Sequence, residues 1–439
     1  MIDAAPGAFI SGDLTTPIDR PLTLAILGAG ARGSAYADLA AKRPKTARVV
    51  AVAEPREHVR DAFATQHNIG PSYRFTDWRD LLDRPRLADV AVIAILDADH
   101  LAAAVALSDM GYQLLLEKPM ATTEDDCEAI AAAARRNGTA LALAHVMRYT
   151  PYTVKLKQLL TGGAIGDIVS LQHLEPIGYY HFAHSFVRGN WRREDESSSL
   201  LLAKSCHDID WIIDIIGQQV KRVSSFGSLT HFRPEAAPAG ATDRCVTCPL
   251  QNTCSYSATT LYRDGLRNGG TKRYFTKIIT AGELTEEAVT AALTDGPYGR
   301  CVYHSDNDVP DHQVVNLEFG GGATASFTLT AFTPLENRHT KIFGTRGQVT
   351  GDGQHIELYD FHTETRTIYD TSLDGSSAAE GHAGGDEALL NAYLDALQGG
   401  RPELVVSGTE TSLSSHRVVF AAERARRSGT VVDLTSLSD

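Results

Sequence analysis

The sequence is short of several features that would place it quickly. Six cysteines and three tryptophans are spread over 439 residues, too few thiols for a disulfide scaffold in so long a chain. No stretch approaches the roughly 18 consecutive apolar residues of a membrane span. Residues 1–21 have neither a basic start nor a continuous apolar segment, so no secretory leader is expected there. Positive charge is in deficit. The formal net charge of −13 argues against a general binder of nucleic acid or other polyanions. No internal repeat is visible. The expectation is a soluble, cytoplasmic protein with chain enough for two or three domains.

What is present begins at Leu22. The apolar run Leu22–Leu27 leads directly into Gly28-Ala29-Gly30-Ala31-Arg32-Gly33, the G-x-G-x-x-G spacing of a tight strand-to-helix turn. The first glycine permits the turn, the second lets backbone approach a pyrophosphate, and the third lets the helix pack on the strand. A second apolar run ends in Glu54, 21 residues after Gly33. An acidic side chain there suits the ribose hydroxyls of NAD and repels the extra phosphate of NADP. Arg56, two positions on, could favour that phosphate.

Apolar runs at 22–27, 49–53, 89–96, 113–116 and 140–145 alternate with alanine-rich or amphipathic stretches. That rhythm predicts a parallel sheet with helices on both faces and ligands at the carboxyl ends of its strands. Two strand ends carry charge: Asp97-Ala-Asp-His100 and Glu117-Lys118-Pro119. The second puts Lys118 at the cofactor edge.

Five motifs in order resemble the glucose–fructose oxidoreductase, inositol dehydrogenase and rhizopine catabolism (Gfo/Idh/MocA) family. They are the glycine turn, Glu117-Lys118-Pro119, Arg148-Tyr149, Gly166-Asp167-Ile168 and His207-Asp208-Ile209-Asp210. The resemblance runs from about residue 22 to the end. It implies an α/β N-terminal Rossmann domain with a parallel, doubly wound sheet, followed by an α+β domain with a large open, mostly antiparallel sheet. The expected boundaries are an arm over 1–21, an NAD-binding domain over 22–146 and a substrate and oligomerisation domain over 147–439. A homodimer or homotetramer follows from the same resemblance. So does a cofactor site drawn from Gly28–Gly33, Glu54, Asp97, His100, Glu117, Lys118 and Arg148. The family places a histidine, here His207, and the Glu-Lys-Pro lysine on either side of a substrate hydroxyl. Histidine titrates in the range useful for taking the hydroxyl proton. Family dehydrogenases carry an Asp four residues before that histidine; this chain has Ala203. Lys204 follows and is read as a substrate contact on the His207 face of the helix. Tyr149 and Asp208 complete the substrate set on the family motifs.

Residues 179–193 mix aromatic rings with His181, His184, Arg188, Trp191, Arg192 and Arg193. Aromatic faces suit a sugar ring and arginine forks suit an anionic group, so the expected ligand is a sugar or glycoside, including acidic ones. His312, in a polar cluster with Asn307, Asp311 and Gln313, is a further candidate. Within a polar insertion at about 234–310, Cys245-x-x-Cys248-x5-Cys254, with Cys301, fits a structural zinc site. An iron–sulfur cluster and unliganded thiols are the alternatives, and His304 is a fallback ligand. The chemistry expected is hydride transfer between NAD and a secondary sugar hydroxyl, at carbon 3. The alternative is a glycosidase that oxidises, eliminates, adds water and re-reduces with NAD retained, acting on a sulfoquinovoside or uronide.

Overall fold

The computed structural model describes residues 18–372 and 382–435. Residues 1–17, most of the expected arm, lie outside it. The chain forms two compact units that interleave in sequence. One takes Met1–Gln158, Cys206–Ile215 and Thr371–Phe420; the other takes Leu159–Ser205, Ile216–Asp370 and Ala421–Asp439.

The first unit holds six strands: β1 (Leu22–Leu27), β2 (Ala47–Ala53), β3 (Arg74–Phe75), β4 (Val90–Ile93), β5 (Gln113–Leu116) and β6 (Leu141–Leu143). All pair in parallel in the order β3-β2-β1-β4-β5-β6. This is the dinucleotide-binding order, whose reversal at β1 and β4 opens a crevice at the strand ends. Alternate residues of β1 explain why it is apolar throughout. Leu22, Leu24 and Ile26 pack on one face with Tyr36, Leu390, Tyr393 and Leu394. Ala25 and Leu27 pack on the other with Ile93, Leu116 and Ile130. The two-residue strand β3 has no readable pattern and was not expected.

The helix Gly385–Gly399 belongs to this first unit: the Tyr393 hydroxyl donates to the Ala140 carbonyl. A domain ending at residue 146 leaves out this returning helix and residues 206–215.

The second unit is built on nine strands: β7 (Ile168–Pro176), β8 (Val220–Ser228), β9 (His312–Phe319), β10 (Thr324–Thr330), β11 (His339–Gly344), β12 (Gly347–Gly351), β13 (His355–Asp360), β14 (Arg366–Asp370) and β15 (Val432–Asp433). Their order is β14-β13-β12-β11-β7-β10-β9-β8-β15, antiparallel except where β7 runs parallel to β10. The insertion between β8 and β9 is helical rather than loop-like, with helices Ala258–Asn268, Gly270–Ile279 and Glu286–Thr294. It has a small core of its own, including Leu261, Tyr262, Phe275, Val289 and Leu293. Among the described residues no helix is long and apolar enough to cross a membrane.

Candidate active site

The glycine turn is built as its spacing predicts, and each glycine has a separate reason. Gly28 has a left-handed φ of 86°, and a Cβ there would meet the Ala94 carbonyl oxygen at 2.3 Å. A Cβ on Gly33 would lie 1.9 Å from the Gly28 oxygen. At Gly30 the nearest obstacle is the tip of Arg56, 3.9 Å away. The fold therefore requires Gly28 and Gly33, whereas the space over Gly30 is open to a ligand. Gly30 caps the helix Ala31–Ala41 with no side-chain hydrogen bond. The first-turn amides, Ala31 and Arg32 among them, thus have no side-chain acceptor from the cap, the arrangement that suits a pyrophosphate.

Glu54 follows β2 and is only 2 % exposed. Its carboxylate accepts the Ala29 amide at 3.0 Å, the Arg56 amide at 3.0 Å and the Arg56 guanidinium at 2.7 Å. Burial pushes its pKa up, but the Arg56 and Ala29 hydrogen bonds outweigh that and hold it below the usual carboxylate value. Arg32, expected at the cofactor, turns inward instead. Its guanidinium donates to Glu117 at 2.6 Å and to both oxygens of Asp386 at 2.6 and 3.0 Å.

Lys118 stands between Glu117, after β5, and a turn held from both sides. His100 Nδ1 donates to the Pro119 carbonyl at 2.8 Å. His416 Nε2 accepts the Met120 amide at 3.0 Å, while its Nδ1 donates to the Ser412 carbonyl at 2.8 Å. His100, expected as a cofactor contact, is fully buried and acts here as a clamp on the lysine turn. The His416 pattern fits the neutral ring. Burial, together with the Lys118 charge, pushes its pKa down to about 4. Asp97, on the short turn Asp97–Asp99 before the helix that His100 opens, is half-buried.

His207 lies 4 % exposed in the same unit. The ring of His145 meets it edge-on at 6.5 Å between centroids and meets His416 at 5.5 Å. Burial pushes His145 down to about 3, with Lys118, Arg148 and His416 acting in the same sense and Asp210 opposing. Asp210 sits 3.7 Å from His145 Nε2. It is also bidentate to Arg148 at 2.6 and 2.8 Å, and Arg148 reaches Asp214 at 2.8 Å. Arg148 is therefore an internal tie to the His207 helix rather than a cofactor contact. Tyr149 is likewise committed, its hydroxyl 3.0 Å from the Ser407 hydroxyl and accepting the Ser407 amide. Asp208 is fully buried.

The helix Leu200–Ile216 is broken at Ser205, with φ −122° and ψ 16°. The three-residue spacing from Lys204 to His207 therefore does not place them on a common helical face. In the second unit Lys204 pairs with Glu175 at 2.8 Å, and Arg338 takes the other Glu175 oxygen at 3.0 Å.

The basic aromatic stretch folds largely inward. Residues Ala183–Arg188 form a π-helical turn whose members are all buried. His184 meets the Tyr262 hydroxyl at 2.9 Å and stacks on Tyr298, and burial pushes its pKa down to about 3. Arg188 is 1 % exposed and donates to the carbonyls of Arg300 and Tyr256. These two tie the insertion core and do not face a substrate. His181 packs against Phe186 and Phe275. Arg192 is paired with Asp306 and Glu196, and Arg193 with Asp195. Trp191 is exposed. His312 Nδ1 lies 2.8 Å from Asp311 on the rim of β9.

Cys245, Cys248, Cys254 and Cys301 do converge on one cavity. Among the described residues, however, no group of three or more His, Cys, Asp or Glu is arranged to hold a metal ion. The zinc expectation is not met.

Sequence reasoning passed over Asp210, His145 and His416 as working residues. Asp210 sat in a quoted motif and His145 three residues before Arg148. His416 carried no local signal.

The family model "Oxidoreductase family, NAD-binding Rossmann fold" matches residues 22–145, and that for the "Oxidoreductase family, C-terminal alpha/beta domain" matches residues 157–434. A putative oxidoreductase, YteT, of Bacillus subtilis is 26% identical over 336 residues, 71% of this chain and 73% of its own. The 2,7-anhydro-N-acetylneuraminate hydratase of Escherichia coli is 24% identical over 156 residues, covering 35% of this chain and 41% of its own. Among solved structures, levoglucosan dehydrogenase in complex with NADH and levoglucosan superposes with a TM-score of 0.68 at 17% identity, over 94% of this chain and all of that one. The chain belongs to the Gfo/Idh/MocA family of NAD-dependent oxidoreductases.

Proposed function

We propose that the protein oxidises a secondary hydroxyl of a sugar or sugar derivative, at carbon 3, with NAD rather than NADP. The observation that carries this reading is the grouping of Lys118, His207, His145, His416 and Asp210 in the unit that bears the glycine turn. NAD, when bound, supplies the hydride acceptor. Lys118 orients the hydroxyl oxygen with its ammonium donors. His207 takes the hydroxyl proton as the carbon–hydrogen pair departs and the carbon–oxygen bond becomes a carbonyl. His145, neutral behind His207, leaves the proton there without a competing charge. Glu54 supports NAD, since the 2′-phosphate of NADP would meet a buried carboxylate.

The second reading, a glycosidase that retains its NAD, is favoured by one observation: Ala203 stands where the histidine's Asp partner would be. A relative named as a hydratase fits water addition within the same fold family. Incubation with catalytic NAD and neutral and anionic aryl glycosides separates the two. Stoichiometric NADH without aglycone release supports the dehydrogenase; release without net NADH supports the glycosidase. Neither signal would overturn both.

A further inference from the structure

We propose that Asp386 is a positioning residue for Lys118, acting through Arg32 and Glu117 from the first turn of the returning helix Gly385–Gly399. All four residues belong to the first unit. The inference rests on the role given to Lys118 above.

Arg32 sits in the first turn of the helix Ala31–Ala41, and its side chain runs inward. Tyr36, one helical turn on, fixes that pose. Its buried hydroxyl accepts from Nη2 at 2.9 Å, and the guanidinium carbon lies 5.0 Å from the ring centre. Asp386 then accepts from Nη1 and Nη2 with its two oxygens, at 3.0 and 2.6 Å. A two-pronged contact of this kind fixes the plane of a guanidinium as well as its position. The remaining edge, Nε, is thereby aimed at Glu117 Oε1, 2.6 Å away. Glu117 offers its other oxygen to the Lys118 amide, at 3.2 Å. His100 and His416 hold the neighbouring Pro119 carbonyl and Met120 amide, while the Glu117 bond reaches the amide of Lys118 itself.

Two further observations separate this series from a surface ion pair. Glu117 and Asp386 are 7 % and 6 % exposed, so two carboxylates share one guanidinium largely out of water, where geometry and charge count most. The start of the returning helix is also fixed by its backbone. A Cβ on Gly385 would meet the Val146 carbonyl oxygen at 2.5 Å, which places Asp386 close against the turn Val146–Tyr149.

Amide hydrogen exchange of the full-length chain with NADH, read by mass spectrometry, tests this beside the kinetics of NAD reduction. Asp386→Asn keeps the shape of the side chain and removes its charge. The expected result is exchange about threefold to tenfold faster over residues 117–120, as for one weakened hydrogen bond, with Leu22–Leu27 unchanged. With a sugar that is oxidised, kcat falls about 10- to 100-fold while KM stays within about twofold. Glu387→Gln, which removes an exposed carboxylate from the same helix turn, should change neither. Should Asp386→Asn fail to fold, Arg32→Lys, which keeps the charge but not the fork, is expected to loosen the same residues and decides alone. Unchanged exchange over 117–120, loosening confined to the returning helix, or an unchanged kcat overturns the proposal. A wild type that oxidises no sugar counts against the proposed reaction, and the exchange result then decides the positioning by itself.

Discussion

The roles proposed for Lys118 and His207 are open to direct substitution. Replacing Lys118 with Met, or His207 with Gln, is expected to lower kcat by about 10²–10⁴-fold, the range for a positioned acid–base group. NADH affinity, read by fluorescence titration, should be nearly unchanged. His416 is different in kind. His416→Leu leaves the buried Met120 amide without its acceptor, a loss of about 1–3 kcal/mol, measured as a lower denaturant midpoint with a reduced kcat. An unchanged midpoint would remove His416 from the account. Lys118 was legible because the strand-end Glu-Lys-Pro run is local. Its clamps were not, since His416 lies 296 residues from the Met120 amide it accepts. Arg188 shows the opposite failure. Its aromatic and cationic surroundings read as a contact for a sugar or acidic ligand, yet a π-helical turn buries it.

At the scale of elements, the glycine turn offers a paired prediction. Gly33→Ala forces a Cβ against the Gly28 carbonyl and should cost about 1–3 kcal/mol, as overpacking does, with loss of NADH binding. Gly30→Ala meets no such obstacle and should leave thermal stability unchanged while weakening NADH binding several-fold, because the added methyl stands over the helix amides. Equal thermal losses in the two variants would contradict the assignment. Most of the parallel sheet was readable, because burial on one or both faces imposes a pattern on the sequence. The break at Ser205 was not. A kinked helix keeps its apolar stripe on either side, and only the backbone angles show that Lys204 and His207 no longer share a face.

At the scale of the whole molecule, buried neutral histidines set an acid limit. The folded-state pKa values of His145, His184 and His416 lie below the ordinary 6.5, at about 3, 3 and 4. Below pH 6.5 the unfolded chain binds protons that the folded chain refuses, so stability present above that pH is lost as pH falls toward 4. Asp210, held low by His145 and Arg148 despite its burial, adds a further loss below the ordinary carboxylate range. The expected slope approaches about 1.4 kcal/mol per pH unit for each of the three imidazoles. Calorimetry should show Tm falling steadily from pH 6.5 to 4.5; a flat profile would mean these imidazoles are charged or exposed.

The most direct measurement is NADH formation by the wild-type, Lys118→Met and His207→Gln proteins with NAD and a panel of sugars, sugar acids and their glycosides. The account predicts that at least one sugar derivative reduces NAD with the wild type, at rates about 10²–10⁴-fold lower in each variant while NADH binding persists. Reduction that proceeds equally in all three proteins would contradict it.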